Sequence, residues 1–330
     1  MKVLVIGGSG FIGRSVLSAL AARGADVVIG TRRPTRQAAS TSGCAMQHIK
    51  LHGLTLASDW AHRIEPFDVI VNCAGILRER WGETFDAVYH RAPAAIAQAC
   101  AAQGKRFIHV TALGLTDQAG SGFITAKLDG ETRISQIVGE TCIVRPSLLD
   151  GVDGFGSRWL RRVAQWPVHF VPADAAGNLA PLHVHDLGEA IAALCFCAAD
   201  ELPASVELGG ETRYDIGSYL AALRCNPRRA MTVAVPAWMV RLCAHLLDVL
   251  HLTPLSWGHV ELMRRDNAPC LEDAIALRKW LGRAPMSVGL VAQSVDVAGF
   301  RLPPLPKGEG AKPRPFMSAK NTAQPSAPSR

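Results

Sequence analysis

Residues 3–13 read Val3-Leu-Val-Ile-Gly-Gly-Ser-Gly-Phe-Ile-Gly13, an apolar run that ends in four closely spaced glycines. The glycines fit the spacing G-x-x-G-x-x-G from Gly7 and also G-x-G-x-x-G from Gly8. Glycines let a strand turn sharply into a helix and let the backbone approach a ligand where a Cβ would collide. The positive N-terminal end of the helix then favours a pyrophosphate. We therefore expect a dinucleotide-binding turn; the alternative is a tight turn that binds nothing. Its residues are Gly7, Gly8, Ser9, Gly10, Phe11, Ile12 and Gly13.

The composition, 48% hydrophobic and 19% charged over 330 residues, is ordinary for a globular enzyme with one large core or two smaller ones. The chain starts directly at the first predicted strand, and no stretch reaches the roughly 18 apolar residues that a spanning helix needs. We therefore expect a cytoplasmic protein without a targeting segment. Nine scattered cysteines in mostly apolar surroundings favour reduced thiols over a disulfide framework.

The positive charge is concentrated at the C-terminus. Of the net charge of +7, more than half comes from residues 302–330, which hold five basic residues, one acidic residue and seven prolines. The remainder is nearly balanced, so a basic footprint for DNA or RNA is absent and we expect no nucleic-acid partner. Residues 301–330 are predicted to be a disordered, proline-rich basic tail.

Short β-rich runs alternate with helical stretches through the first half of the chain, which is typical of a parallel sheet with crossover helices. We predict an α/β fold, with a Rossmann-like, doubly wound parallel sheet over residues 1–150. A smaller, mostly helical substrate lobe follows over residues 151–300, and residues 183–198 are expected to pack back on the first domain. The predicted strands are Lys2–Gly7, Asp26–Thr31, Gln47–Leu51, Asp68–Cys73, Arg106–Thr111 and Thr141–Pro146.

Residues 236–263 are predicted to be helical and amphipathic. They fit best a lobe helix packed on the core; the alternative is contact with a membrane surface or a partner protein. The second interpretation would place the protein peripherally at the inner membrane. The apolar side carries Trp238, Leu242, Leu246, Val249 and Leu250.

The second predicted strand ends without a carboxylate, in Thr31-Arg32-Arg33. An acidic residue about 20 residues past the glycine turn usually holds the ribose 2′-hydroxyl of NAD. Guanidinium groups instead suit a 2′-phosphate, which a carboxylate would repel. Thr31, Arg32 and Arg33 therefore favour NADP(H) over NAD(H). The alternative is NAD bound through main-chain contacts, with both arginines solvated.

Six segments, in this order, resemble an atypical short-chain dehydrogenase/reductase of the extended type. The resemblance covers most of residues 1–300 and is strongest to the branch that contains the NAD(P)-binding accessory subunit of respiratory complex I and its bacterial relatives. The segments are Gly7-Gly-Ser-Gly-Phe-Ile-Gly13, Val71-Asn-Cys-Ala-Gly-Ile-Leu77, His109-Val-Thr-Ala-Leu-Gly114, Val144-Arg-Pro-Ser147, Pro181-Leu-His-Val-His-Asp-Leu187 and Glu207-Leu-Gly-Gly210.

The resemblance implies further cofactor-binding residues along the strand ends. Asp59 stands where some relatives carry an acidic residue near the adenine. Thr111 stands where a hydroxyl near the nicotinamide is expected, and Pro146 and Ser147 would border the nicotinamide. The adenine-ribose side of the cleft would be lined by Cys73, Ala74 and Gly75.

Active members of the family carry Tyr-x-x-x-Lys on one helical face, where the lysine binds the nicotinamide ribose and the phenol transfers a proton. Here the segment is Phe123-Ile-Thr-Ala-Lys127, so the lysine is present and the phenol is absent. Three interpretations stay open: another group such as Tyr89 supplies the proton, Lys127 supplies it alone, or the cofactor is bound without turnover.

These features lead us to expect an NAD(P)H-binding oxidoreductase acting on a hydrophobic small molecule, such as a quinone or carbonyl compound. The alternative is a non-catalytic accessory or assembly subunit of a respiratory-chain complex. His183 and His185 share a strand face but are expected to be structural, so no metal is predicted. Four aromatic residues could line a hydrophobic substrate pocket or simply form the lobe core: Phe155, Trp159, Trp166 and Phe170.

Overall fold

A seven-stranded parallel sheet forms the centre of the computed structural model, which describes residues 1–34, 44–226, 229–250 and 257–288. The strand order β10-β6-β5-β4-β1-β2-β3 places β1 in the interior of the sheet, with helical crossovers leading away on both sides. The strands of the sheet are β1 (Lys2–Ile6), β2 (Asp26–Thr31), β3 (Ala45–His48), β4 (Val69–Asn72), β5 (Arg106–Val110), β6 (Thr141–Pro146) and β10 (Ser205–Leu208).

Continuous apolar runs form the central strands because both faces of the sheet are covered by helices. Val3, Leu4 and Val5 of β1 are completely buried. Leu4 pairs with Val28 on one side and Ile70 on the other. The α/β doubly wound architecture predicted from the sequence is confirmed.

Helices cover the two faces in separate layers. The completely buried Val16 and Leu187 pack in one hydrophobic cluster against the first face, and Trp60 and Ile96 pack in another against the second. The first layer consists of α1 (Phe11–Ala22), α6 (Val184–Phe196) and α10 (Leu271–Leu281); the second consists of α2 (Ala57–Ile64), α3 (Ala92–Ala102) and α4 (Gly122–Ser135).

The remaining elements build a smaller lobe beside the carboxyl ends of β5 and β6. Its own hydrophobic cluster joins Leu160, Tyr219 and Leu220, and β8 pairs in parallel with β11. The elements are β7 (Leu149–Asp150), α5 (Phe155–Ala164), β8 (Val168–Pro172), β9 (Leu182–His183), α7 (Ile216–Ala222), β11 (Met231–Val235), α8 (Ala237–Leu250) and α9 (Trp257–Leu262).

The predicted bounds of β1, β4 and β5 differ from the structure by one residue at one or both ends, and the third strand differs by more. The third strand is Ala45–His48 rather than Gln47–Leu51, because its pairing ends where Thr31, the last residue of β2, meets His48. Leu51–Gly53 instead forms a 3₁₀ turn. A π-helical stretch, Asp86–Arg91, leads directly into α3. Pro93 has no N–H for the carbonyl of Tyr89, which favours the wider turn.

The segment expected to be helical over 236–263 contains α8 and α9, and residues 251–256 between them lie outside the described residues. The predicted tail, residues 301–330, also lies outside them. Within the described residues, no helix is long and apolar enough to cross a membrane.

Candidate functional site

The glycine turn connects β1 to α1 in a conformation that only glycine adopts easily. Gly7 has a φ of +78°, and the amide of Gly10 donates to the carbonyl of Gly7 at 2.8 Å. A Cβ on Gly13 would lie 2.3 Å from the Gly7 carbonyl oxygen, so the first turn of α1 packs directly on the glycine turn. The close approach explains the glycine spacing read from the sequence.

The start of α1 suits a pyrophosphate. Gly10 is its N-cap, no side chain caps the helix, and no acidic residue lies in its first turn. The first amides of a helix have no intrahelical partner and point at the ligand space. The Phe11 ring packs on the loop after β7, because Cβ atoms on Gly151 and Gly154 would lie 2.9 Å from it.

The carboxyl end of β2 places two arginines beside the turn. The Thr31 hydroxyl lies 3.2 Å from the Ser9 hydroxyl, which ties β2 to the glycine turn. Arg32 forms an ion pair with Glu83, whose side chain is 14% exposed. Arg33 is exposed, and its amide faces the Thr31 hydroxyl at 3.4 Å. Glu83, which sequence reasoning missed, therefore forms an ion pair with one of the two guanidinium groups.

Residues 72–75 follow β4 and lie against the glycine turn. A Cβ on Gly7 would meet Ala74 at 2.8 Å, and Asn72 accepts from the amide of Ala74 at 3.2 Å. The Asn72 amide nitrogen also lies 3.2 Å from Nδ1 of His109. Burial raises the pKa of the Cys73 thiol to about 12, so the thiol stays protonated. Of the predicted cofactor residues, Cys73 and Ala74 thus lie against the turn, whereas Gly75 lies against the Tyr89 hydroxyl.

Asp59 has a local structural contact. It lies in the first turn of α2, where its carboxylate accepts from the amide of Leu56 at 2.9 Å. A carboxylate at this position stabilises the helix start. Its role near the adenine stays a prediction from the resemblance.

Tyr89 is buried, and its hydroxyl both accepts and donates a hydrogen bond. It accepts from the amide of Ile76 at 2.7 Å and donates to the carbonyl of the same residue. Burial raises the pKa of Tyr89 well above its ordinary value. The phenol therefore supports the loop after β4, and it cannot give up its proton without losing a buried hydrogen bond.

Lys127 projects from α4 into an aromatic enclosure. Its Nζ lies 4.4 Å from the centroid of the Tyr89 ring and 5.4 Å from that of Phe123. The residue is 8% exposed. Burial lowers the pKa of Lys127 to about 8, against an opposing attraction from the Glu131 carboxylate. The ammonium is thus poised to lose a proton just above neutral pH.

Thr111 is linked to a buried carboxylate that sequence reasoning missed. Its hydroxyl donates to Glu131, one turn after Lys127 on α4. Glu131 is 5% exposed and accepts from Arg145 Nε at 2.7 Å. The buried charge is therefore paired, and Thr111 is anchored at the end of β5.

Pro146 and Ser147 end β6 under a segment of the second lobe. The Ser147 hydroxyl lies 2.8 Å from Oδ1 of Asn267, and the amide of Leu148 donates to the same oxygen at 2.8 Å. Asn267 Nδ2 donates to the carbonyl of Leu113 at 2.7 Å. Asn267 thus bridges the loops after β5 and β6. No local signal could reveal it, because 120 residues separate it from Ser147.

Helix α9 covers the position of the missing phenol. The His259 ring stacks on Phe123 at 5.4 Å and 29°, and a Cβ on Gly258 would lie 2.9 Å from the Phe123 ring.

The rings of His183 and His185 stack on each other at 5.1 Å, and His183 Nδ1 accepts from the amide of His185. Among the described residues, no group of three or more His, Cys, Asp or Glu side chains could hold a metal.

Comparison with known proteins finds similarity to NAD(P)H-binding proteins over part of the chain. Residues 7–135 match the model of an NAD(P)H-binding family. The chain is 28% identical over 192 residues to NADH dehydrogenase (ubiquinone) 1 alpha subcomplex subunit 9 of Dictyostelium discoideum, covering 57% of this chain and 53% of that protein. It is 27% identical over 128 residues to a ceramide reductase of Caulobacter vibrioides, covering 39% and 40%. The matched region thus spans about half the length of such relatives or less.

The fold is shared with solved oxidoreductases. The NADPH complex of an NADPH-dependent quinone oxidoreductase from Escherichia coli superposes with a TM-score of 0.65 over 87% of this chain and 96% of that one, at 14% identity. At this identity the likeness concerns the fold alone. Residues 7–135 therefore match an NAD(P)H-binding family, in a chain that has a Rossmann-like parallel sheet and is homologous in sequence to the NADH dehydrogenase subunit.

Proposed function

We propose that this chain is an NADP(H)-dependent reductase of a hydrophobic carbonyl compound or quinone, and that Lys127 transfers the proton. The observation that carries this proposal is the buried Lys127 ammonium, enclosed by Tyr89 and Phe123 beside the strand ends. A group that titrates near neutral pH suits general acid catalysis. The relative named as a ceramide reductase supports the reaction class.

The cofactor assignment rests on the glycine turn and the end of β2. The amides at the start of α1 would hold the pyrophosphate, and Arg33 together with Arg32 would hold a 2′-phosphate. Glu83 competes for Arg32, so Arg33 is the first partner for the phosphate. Asp59, Cys73, Ala74 and Gly75 would border the adenosine half, whereas Thr111, Pro146 and Ser147 would border the nicotinamide.

Bound NAD(P)H supplies a hydride for reduction of a carbonyl carbon. The carbonyl oxygen then needs one proton, which Lys127 Nζ would donate before recovering it from solvent. Phe123 and His259 exclude water from one side of this position. Tyr89 would act as a positioning residue, since its hydroxyl stays hydrogen-bonded to Ile76.

The test is oxidation of NADPH with a panel of quinones and aliphatic carbonyl compounds. Loss of a general acid costs about a hundredfold or more in rate, so Lys127→Met should lose at least that much in kcat. The matched control is Lys105→Met, because Lys105 Nζ bonds to the carbonyls of Glu65 and Phe67 at the opposite end of the sheet. Tight NADPH binding without turnover of any substrate by the wild-type chain would overturn the proposal.

A second candidate function is a non-catalytic, NAD(P)H-binding accessory or assembly subunit of a respiratory-chain complex. Two observations favour it: Phe123 has no transferable proton and lies under His259, and the curated relatives include NADH dehydrogenase subunits. Native isolation of the tagged chain with detergent-solubilised membranes tests it. Co-migration with a respiratory complex supports this function, and a monodisperse, partner-free chain that turns over NADPH contradicts it.

A further inference from the structure

An apolar cavity of about 470 Å³ lies within the smaller lobe, away from the glycine turn. Its walls come from α5, α7, α8, β8 and β11. Among the described residues that line it, no side chain carries a charge or an amide group. Packed protein interiors contain few voids larger than a water molecule, whereas ligand pockets measure about 300–1,000 Å³. The cavity therefore has the size of a ligand site rather than of a packing defect.

The lining chemistry restricts what the cavity can hold. The apolar side chains that line the cavity offer no hydrogen bonds, so a polar or charged group seated among them would be left unsatisfied. Trp159 and Leu160 form one wall. Phe170 and Met239 also line the cavity and are 58% and 40% exposed, which places an opening to the surface beside them.

The cavity is adjacent to the proposed reaction site. Leu262, the last residue of α9, packs against the hydrophobic cluster that contains Phe123. The next residue, Met263, lines the cavity. The cavity thus lies at the end of α9, the helix whose His259 stacks on Phe123 in the aromatic enclosure of Lys127.

We propose that this cavity binds a single hydrocarbon chain, and that the substrate is a lipid-like molecule with its reducible carbonyl at the end of such a chain. The inference rests on the proposed function for the reaction that follows binding, but the chain site itself does not depend on turnover. Of the four aromatic residues considered from the sequence, Trp159 and Phe170 line the cavity, whereas Phe155 and Trp166 lie outside its lining.

Straight-chain alcohols from butanol to decanol provide the probe, with binding measured by calorimetry in the absence of cofactor. Each buried methylene contributes about 0.8 kcal/mol, which corresponds to about a fourfold gain in affinity. Affinity should rise by about this factor with each methylene until the cavity is full and then level off. An affinity independent of chain length would overturn the inference.

Cys243 provides a second readout, because this exposed thiol lines the cavity. Decanol should slow its alkylation by N-ethylmaleimide at least about tenfold, as read by peptide mass spectrometry. The exposed Cys225 and Cys270 lie outside the lining and should react unchanged. Equal alkylation rates of Cys243 with and without saturating decanol would overturn the inference.

A filling variant identifies the site of binding. Ala234 lines the cavity with its side chain exposed, so Ala234→Trp should fill the opening without disturbing the core and weaken decanol binding at least about tenfold. Ala198→Trp, at an exposed position outside the lining, is the matched control. Chain binding without turnover would contradict the reductase and leave the cavity site standing. If Ala234→Trp leaves the turnover of long-chain substrates unchanged, their hydrocarbon chain binds outside this cavity. That result would overturn the inference about the substrate.

Discussion

The Nζ of Lys127 lies 4.4 Å from the centroid of the Tyr89 ring, so the ammonium rests on an aromatic face inside the protein. Such contacts contribute up to about 2 kcal/mol when desolvated, which offsets part of the cost of burying the charge. Lys127 is therefore held in place although residue 123 has no phenol. Of the Tyr-x-x-x-Lys pair found in active short-chain dehydrogenase/reductases, the chain has the lysine, and the position of the phenol is occupied by Phe123 under His259.

Phe123→Tyr should increase NADPH oxidation with carbonyl substrates. A phenol at this position would lie beside an ammonium that lowers its pKa, and a positioned general acid contributes about a hundredfold or more. We expect a gain of at least about tenfold in kcat, measured under saturating NADPH. Phe85→Tyr adds the same hydroxyl to the same aromatic cluster and should leave kcat unchanged. A Phe123→Tyr chain that folds and binds NADPH but turns over no faster would contradict this expectation.

Lys127→Met should change the pH dependence of stability. The folded-state pKa of Lys127 is about 8, below its ordinary value of 10.5. Between these values the unfolded chain binds more protons, so the free energy of unfolding of the wild type rises with pH. Between about pH 8 and pH 10.5 the free energy of unfolding of the wild type should rise by up to about 3 kcal/mol relative to that of Lys127→Met. Urea unfolding at a series of pH values measures the difference, and parallel profiles for the two proteins would show that Lys127 titrates normally.

Glu83→Gln should strengthen NADPH binding selectively. The substitution removes the anion that pairs with Arg32, and this frees a guanidinium group for the 2′-phosphate. A hydrogen bond to a charged group contributes about 1.5–3 kcal/mol, so we expect the Kd of NADPH to fall about tenfold. The Kd of NADH should not change, and neither constant should change in Glu65→Gln, whose carboxylate is exposed. An equal decrease in the Kd of NADPH and of NADH would show that Glu83 does not compete with the 2′-phosphate for Arg32.

Gly13→Ala should abolish cofactor binding. The new methyl group would lie 2.3 Å from the carbonyl oxygen of Gly7, so the glycine turn would have to move away from α1. Overpacking of this kind costs about 1–3 kcal/mol of stability. Gly156→Ala, in α5 with no atom within 4 Å of the added Cβ, is the control and should bind cofactor normally. Thermal unfolding and calorimetry with NADPH together separate loss of binding from loss of folding.

Local sequence was sufficient for the elements that depend on short-range patterns. The apolar run before Gly7 could only be a strand buried on both faces, and β2 and β6 have the predicted boundaries. The third strand was displaced because the length of its partner β2, and not its own residues, ends the pairing at His48. Only the tertiary structure, likewise, shows that the carbonyl of Tyr89 in the π-helical stretch approaches Gly130 on another helix.

The sequence by itself determined the glycine turn, the parallel sheet and the absence of a phenol four residues before Lys127. Those features follow from backbone sterics and from residue identity within short windows. Only the tertiary structure decided that Glu83 pairs with Arg32, that Asn267 bridges the loops after β5 and β6, and that His259 covers Phe123. The physical reason is that hydrogen bonds, ion pairs and burial act between side chains that meet only after the chain has folded.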